Sequence, residues 1–188
     1  MRKRPRILGA LCAAGLLSGC AHDKAPAGSP GTTEDVTFTR YSPLSRSEEI
    51  ARRTLPPLTF RRLQEGFAAK GMKLREQPVD LAKEKFAVYL PAGARPKDGY
   101  GLFVFISAGD QAIHPRRWRG PLDRHGLIMV SAANAGNEAS VLERRVPLAL
   151  LAWENVRARY PIDPKRVYVG GLSGGSRVAE IAALAYPD

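Results

Sequence analysis

The chain has 188 residues, enough for one domain of ordinary size, and 44% of them are hydrophobic, which supports a packed core. Its formal net charge is +11, but four of the positive charges stand at Arg2, Lys3, Arg4 and Arg6. The other charges are spread along the chain without a long basic run. Because there is no basic recognition helix and no zinc-ligand spacing, nucleic-acid binding is disfavoured. The basic surface is either a solvated face or one that lies near anionic lipid or polymer.

The N-terminal segment has the organisation of a targeting signal. Met1–Arg6 is positively charged, and Ile7–Leu17 is apolar but too short to span a bilayer. The following residues, Leu17-Ser18-Gly19-Cys20, resemble a bacterial lipobox, which implies that Cys20 becomes the first mature residue and carries the lipid. The alternative is an ordinary secretory signal with an incidental cysteine. We therefore expect residues 1–19 to be a lipoprotein signal peptide.

Residues 20–44 are expected to form the lipidated cysteine and a flexible tether, ahead of a folded domain over residues 45–188. Ala21–Glu34 is rich in Ala, Pro, Gly, Ser and Thr and shows no apolar periodicity. Cys12 lies in the apolar part of the signal, so the mature chain retains Cys20 alone and no intrachain disulfide is expected. Ala21 is not the aspartate that keeps many enterobacterial lipoproteins at the inner membrane. This favours a lipid-anchored protein of the bacterial cell envelope, at the outer membrane and facing the periplasm or the exterior.

The first predicted elements of the domain are helical. Ser45–Lys70 has helical apolar spacing that is interrupted by Pro56-Pro57, which predicts two short helices. Lys85–Leu90 alternates apolar and other residues and predicts an outer strand.

Buried strands then alternate with helices. Gly101–Ile106 and Leu127–Val130 are continuously apolar, as expected of strands covered on both faces. Val146–Tyr160 places its apolar residues on one helical face, with Pro147 tolerated in the first turn. Val167–Val169 predicts a third buried strand. Strands alternating with helices indicate an α/β fold with a mostly parallel sheet.

The most informative motif is Gly171-x-Ser173-x-Gly175, the G-x-S-x-G pattern of a nucleophile elbow. It lies between the Val167–Val169 strand and a helical pattern that begins near Val178, which is the strand–turn–helix setting that the motif requires. Glycines on both sides leave room for a strained backbone at the serine. The N–H of Gly174, at the start of the helix, is placed to stabilise an oxyanion. The alternative is a Gly/Ser-rich loop that binds a phosphate or nothing.

The segment Tyr160–Ser173, which reads YPIDPKRVYVGGLS, closely resembles the lead into the nucleophile of secreted esterases similar to polyhydroxybutyrate depolymerases and feruloyl esterases. From about Glu76 onward the chain is similar to the N-terminal portion of an α/β-hydrolase. The resemblance implies a three-layer α/β sandwich with a mostly parallel sheet that is incomplete at its C-terminus. It also implies an ester substrate, an acyl-enzyme on Ser173, and no cofactor or metal.

The partners of the serine are not evident. In this fold the acid and the histidine follow the nucleophile in the chain, but only Glu180 and Asp188 come after it, and neither is well placed. His22 lies in the tether and His125 at the opposite end of the sheet. His114 lies at the correct end, but we interpret it as an exposed loop histidine and do not assign it as the base.

We therefore expect a truncated or incomplete copy of a longer hydrolase. The alternative is a non-catalytic or fragmentary lipoprotein with a degenerate hydrolase fold.

The second oxyanion donor is expected from Ser107-Ala108-Gly109-Asp110, where the esterases that the chain resembles have His-Gly followed by glycines. The donor is a main-chain group, so the N–H of Ala108 or of Gly109 is the candidate. Residues 134–137 either border the same cleft or form a plain polar turn. The substrate, the oligomeric state and the choice between esterase, thioesterase and peptidase stay open.

Overall fold

The computed structural model describes residues 28–113 and 115–187. The predicted signal peptide, the lipidated Cys20, and His22, His114 and Asp188 therefore lie outside the described residues. Within the described ranges, no helix has both the length and the apolar character needed to cross a bilayer.

The described chain is built on a five-stranded mixed sheet with the order β1-β2-β4-β3-β5. The strands are β1 (Thr33–Val36), β2 (Phe86–Tyr89), β3 (Tyr100–Ile106), β4 (Leu127–Ala132) and β5 (Ile162–Gly171). The central strand β3 pairs in parallel with β4 and β5, and Val104 stands opposite Val130 on one side and Val169 on the other. β2 is antiparallel to both of its neighbours, so it alone runs against the direction of the other strands.

Helices connect these strands. The α-helices are α1 (Ser47–Thr54), α2 (Pro57–Ala69), α3 (Arg119–His125), α4 (Val146–Arg159) and α5 (Gly174–Ala185). Short 3-10 turns cover Pro43–Ser45, Leu81–Lys83 and Arg116–Trp118, and one turn of π-helix, Val141–Arg145, leads into α4. The break between α1 and α2 falls at Leu55 and Pro56, because a proline at the first turn begins a helix but cannot continue one. The predicted pair of short helices is confirmed.

Alternate residues of the central strands face two different helical layers. On one face, Leu102, Val104, Ile128 and Val130 belong to a core that includes residues of α4 and α5. On the other face, Phe105 and Met129 pack with Leu122 of α3. The fold is therefore a three-layer α/β sandwich of the α/β-hydrolase type, with the carboxyl ends of β3, β4 and β5 at one edge of the sheet.

The flexible tether predicted for residues 20–44 is wrong from Gly28 onward, because Gly28 is buried and its N–H donates to Tyr160 Oη over 3.3 Å. Thr33–Val36 forms β1 and pairs with β2 along its whole length. Phe38 is only 3% exposed, and its ring lies 4.7 Å from that of Phe86. The main chain of Arg40 exchanges two hydrogen bonds with the Asn155 side chain of α4. A short edge strand with polar outward residues has no apolar run, which is why composition alone did not reveal it.

Two further strand predictions are corrected by the sheet order. β2 is not an outer strand, because β1 pairs with its free side, and all four of its residues are buried. Among the described residues β5 has a neighbour on one side only, and Val167 is 37% and Tyr168 49% exposed, so the burial predicted for Val167–Val169 is not observed there. A continuous apolar run such as Val167–Val169 is typical of a strand with a neighbouring strand on each side. The run itself does not show whether both neighbours are present.

Candidate active site

Ser173 lies at a sharp turn between β5 and α5 and has a strained backbone. Its φ of 52° and ψ of −123° are rare for any residue other than glycine. Ser173 is also exposed, at the carboxyl end of β5. Among the described residues, the other non-glycine with positive φ is Asn134, at 51°, in the loop after β4. Both strained residues follow strands that end at the same edge of the sheet.

Gly171 and Gly175 allow this turn to contact the end of β3. A Cβ on Gly175 would collide with the carbonyl oxygen of Ile106 and lie 2.8 Å from the carbonyl carbon. A Cβ on Gly171 would lie 2.7 Å from the same oxygen. That oxygen accepts a hydrogen bond of 3.2 Å from the N–H of Leu172. The two glycines of the motif are therefore required by backbone contact with the central strand, and the predicted strand–turn–helix setting of Ser173 is observed.

Two of the three predicted oxyanion residues carry an available main-chain donor. Gly174 begins α5, and its N–H makes no hydrogen bond within the described residues, nor does that of Ala108. The N–H of Gly109, by contrast, donates to Ser107 Oγ over 3.0 Å. The geometry therefore favours Gly174 and Ala108 as the donor pair, with the positive end of the α5 dipole adding to the potential.

The loops after β3 and β4 are linked to each other close to these donors. The N–H of Asn137 donates to the Ala108 carbonyl over 3.0 Å, and the N–H of Asn134 donates to the Asp110 carbonyl over 2.6 Å. The Asp110 carboxylate accepts from the N–H of Gly136 over 3.1 Å. The possibility that residues 134–137 border the same cleft is thus supported by direct contacts.

Arg145 binds the loops after β3 and β4 from the buried side. It was not predicted from the sequence as a residue of the site. It is only 3% exposed, and its Nε and a terminal nitrogen donate to the carbonyls of Ala135 and Ser107, each over 2.9 Å. No carboxylate forms an ion pair with it within the described residues. Burial therefore lowers the pKa of its guanidinium. The available signal was its position directly before the apolar run of α4.

The structure brings no acid or base to Ser173 within its described residues. Glu180 is exposed in the middle of α5. His125, the one histidine among the described residues, is exposed at the end of α3, next to the amino end of β4 and so at the far edge of the sheet. Within the same ranges, no group of three or more His, Cys, Asp and Glu side chains could hold a metal ion.

A wide groove of the described chain lies away from Ser173. It has a volume of about 950 Å³ and runs along the free edge of β5 between α4 and α5, with Trp153, Tyr168 and Tyr186 in its wall. Neither Ser173 nor Gly174 lines it. The candidate active site is therefore the open surface above the carboxyl ends of β3, β4 and β5.

Comparison with known proteins returned similar structures but no matching sequences. No family model matches the chain, and no curated protein matches it. A thermostable esterase is 19% identical, with a TM-score of 0.45, over 55% of this chain and 34% of the other. An acetyl xylan esterase from Aspergillus awamori is 16% identical, with a TM-score of 0.46, over 56% and 43%. Esterase 2 of Thermogutta terrifontis, phosphonylated by sarin, is 26% identical, with a TM-score of 0.41, over 55% and 41%.

The chain thus spans well under half of the length of each of these structures. What defines its fold class is its own strand order, together with the strand–turn–helix around Ser173.

We predict that Gly175→Ala destabilises the protein by about 2 kcal/mol or more, since the new methyl group meets main-chain atoms of β3 that cannot rotate away. Gly66→Ala is the matched control, because Gly66 lies inside α2 with open space around its Cα. It should stabilise the protein by roughly 0.5–1 kcal/mol. Urea unfolding followed by circular dichroism measures both. A Gly175→Ala protein as stable as the parent would contradict the close contact.

We also predict that Arg145→Met lowers the free energy of unfolding by about 1–3 kcal/mol, because the buried carbonyls of Ser107 and Ala135 lose their donors. Arg124→Met, at an exposed position, should change it by less than about 0.5 kcal/mol. Thermal and urea unfolding give both values. Equal or higher stability of Arg145→Met would mean that removing the buried charge outweighs the two lost hydrogen bonds.

Proposed function

We propose that the protein is a serine esterase that hydrolyses carboxylic esters or polyester oligomers through an acyl-enzyme on Ser173. The observation that carries the proposal is the strained, exposed Ser173 with two uncommitted main-chain donors at the same edge of the sheet, Gly174 N–H directly after it and Ala108 N–H in the loop after β3. Backbone strain at a nucleophile, donors fixed in advance and a helix N-terminus are what acyl transfer to a serine requires.

The proposed reaction has two steps. Ser173 Oγ bonds to the carbonyl carbon, the π pair moves onto the carbonyl oxygen, and the hydroxyl proton passes to a general base. The tetrahedral intermediate collapses, the C–O bond to the leaving alcohol breaks, and the alcohol takes that proton. Water then repeats the sequence on the acyl-enzyme, which releases the acid and regenerates the serine. The main-chain N–H groups of Gly174 and Ala108 hold the oxyanion in both steps.

The exposed side chain next to the nucleophile favours an ester with an apolar acyl portion. Leu172 is 60% exposed and directly precedes Ser173. An apolar acyl chain that packs against this leucine removes apolar surface from water. This burial contributes about 25 cal/mol to the binding free energy for each Å² removed. We place the acyl chain against this residue.

The second candidate is a lipoprotein of this fold without catalytic activity. It is favoured by one observation, that no described histidine or acid contacts Ser173. The complete coding sequence separates the two candidates. An in-frame continuation past Asp188 with further βα units, an Asp and a His supports the esterase, and a stop codon there supports the non-catalytic protein.

For location, we propose the bacterial cell envelope, with the chain held at the outer membrane by the lipid on Cys20. The support is the lipobox-like Leu17–Cys20 segment behind a short apolar stretch. Because Gly28 already contacts Tyr160 of the domain, only residues 21–27 separate the lipid on Cys20 from it. A tether of this length keeps the esterase close to the membrane surface.

We predict that the full-length protein reacts with a fluorophosphonate probe at Ser173, since such probes modify only an activated serine. Ser173→Ala should lose the label, whereas Ser176→Ala, one turn further along at another exposed serine of α5, should keep it. Fluorescence on a gel and mass spectrometry of the labelled peptide give the readout. An unlabelled parent protein, or equal labelling of Ser173→Ala, would refute the esterase.

We predict palmitate incorporation that depends on Cys20 when the gene is expressed in a bacterium. Cys20→Ser should abolish the label, and Cys12→Ser should retain it, because Cys12 lies within the segment that is removed. Metabolic labelling with an alkyne-bearing palmitate followed by fluorophore attachment measures both. Label that persists in Cys20→Ser would show that the lipid, if any, is attached elsewhere.

A further inference from the structure

We propose that Asn137 is a third oxyanion donor of the active site, supplied by a side-chain amide from the loop after β4. This inference rests on the proposed esterase function and adds a catalytic residue to it. Neither the G-x-S-x-G motif nor the donor pair Gly174 and Ala108 requires a residue at this position. The amide would donate to the carbonyl oxygen of the ester as that oxygen becomes negative.

The first observation is the position of the Asn137 side chain. A Cβ built on Gly174 would collide with Asn137 Oδ1, and it would lie 3.0 Å from Cγ and 3.5 Å from Nδ2. The amide therefore lies against the residue that follows the proposed nucleophile, with Oδ1 nearer to it than Nδ2. A 180° turn of the amide exchanges the two atoms, and the turned orientation, with Nδ2–H facing the oxyanion, is the one that the inference requires. Gly174 has a second role here, since any larger residue would displace the Asn137 side chain.

The second observation is that the main chain of Asn137 is fixed while its side chain is uncommitted. Its N–H donates to the Ala108 carbonyl, so one residue contacts both predicted oxyanion residues, Ala108 through its backbone and Gly174 through its amide. Within the described residues the amide forms no hydrogen bond, and Asn137 is exposed. An asparagine amide has two N–H donors, which are available to a substrate.

The third observation is the rigidity of the loop that presents Asn137. Asp110 binds the N–H groups of Asn134 and Gly136, and Arg145 holds the carbonyl of Ala135 from the buried side. A main chain that is already in place limits the reorganisation needed as charge develops to the Asn137 side chain, and limited reorganisation is what makes an oxyanion hole effective. An incidental polar turn would not need a buried cation and a carboxylate to hold it.

The test measures steady-state hydrolysis of p-nitrophenyl butyrate by the full-length protein and its variants. We expect Asn137→Ala to lower kcat by ~10²-fold with KM within about twofold, as is typical when a side-chain oxyanion donor is lost. Asn137→Asp keeps the shape but replaces the donor by a negative charge, so the loss should be at least as large. Glu138→Ala, at the next exposed position of the loop, is the matched control and should keep the parent kcat.

A transition-state analogue separates a catalytic role from a structural one. An alkylboronic acid accepts an electron pair from Ser173 Oγ, and its tetrahedral adduct places an oxygen where the oxyanion forms. Its inhibition constant should rise in Asn137→Ala by about the factor by which kcat/KM falls, whereas inhibition by the product butyrate should change little. Melting temperatures within about 2 °C of the parent would show that the variants are folded.

The outcomes distinguish this inference from the proposed function. An active parent whose Asn137→Ala variant keeps kcat within threefold overturns the inference and leaves the esterase intact. A folded variant with raised KM, unchanged kcat and unchanged boronate inhibition also overturns it, because Asn137 would then bind only the ground state. A full-length parent that neither hydrolyses the ester nor labels with fluorophosphonate refutes the esterase, and Asn137 loses its role with it.

Discussion

The architecture of this site depends on the contact between the nucleophile turn and the carbonyl group of Ile106. Ile106 is the last residue of the central strand β3, its oxygen accepts the N–H of Leu172, and the backbones of Gly171 and Gly175 lie against it. Because β3 pairs with both β4 and β5, this contact sets the position of Ser173 relative to the loops that follow all three strands. The buried residues Leu102 and Val104 anchor β3 from below. A strained φ at Ser173 persists only because such surroundings leave it no alternative.

The loops around Ser173 are held by contacts to main-chain atoms. Arg145 binds two carbonyl groups, and Asp110 accepts N–H donors through its side chain and its backbone. Contacts of this kind fix the position of the main chain, and they do not depend on which side chains that main chain carries. This explains how Ser107-Ala108-Gly109 can replace the His-Gly sequence expected from the resemblance and still present a donor at Ala108. The departure from the pattern of the esterases that the chain resembles changes side chains, while the proposed oxyanion donor is a main-chain N–H group.

Local patterns predicted the elements whose burial is continuous, and they failed where the outcome depends on distant residues. The strands β3 and β4, the helix α4 and the turn at Ser173 follow from apolar runs and glycine spacing. The strand β1 was missed because four residues of mixed polarity acquire their structure only by pairing with β2, some fifty residues later. The exposure of β5 likewise depends on which strands pair with it, and its own residues do not specify those strands. At the site, the bond from Gly109 N–H to Ser107 Oγ depends on loop conformation, and the burial of Arg145 depends on carbonyls from two other loops. Neither feature leaves a periodic signal.

Two features of the site lower the stability of the fold, and both bear on whether the fold serves catalysis or only binding. A non-glycine residue at positive φ costs about 1–3 kcal/mol, and a buried cation without a carboxylate carries a penalty of several kcal/mol that hydrogen bonds only partly offset. The first places Ser173 above the sheet, and the second holds the loops that carry Ala108 and Asn137. A scaffold used only for binding would gain stability from glycine at position 173, because glycine adopts a positive φ without this strain. Both features fix the positions of the proposed nucleophile and of its proposed oxyanion donors before any substrate binds. That combination supports the proposed catalytic role over a role in binding alone.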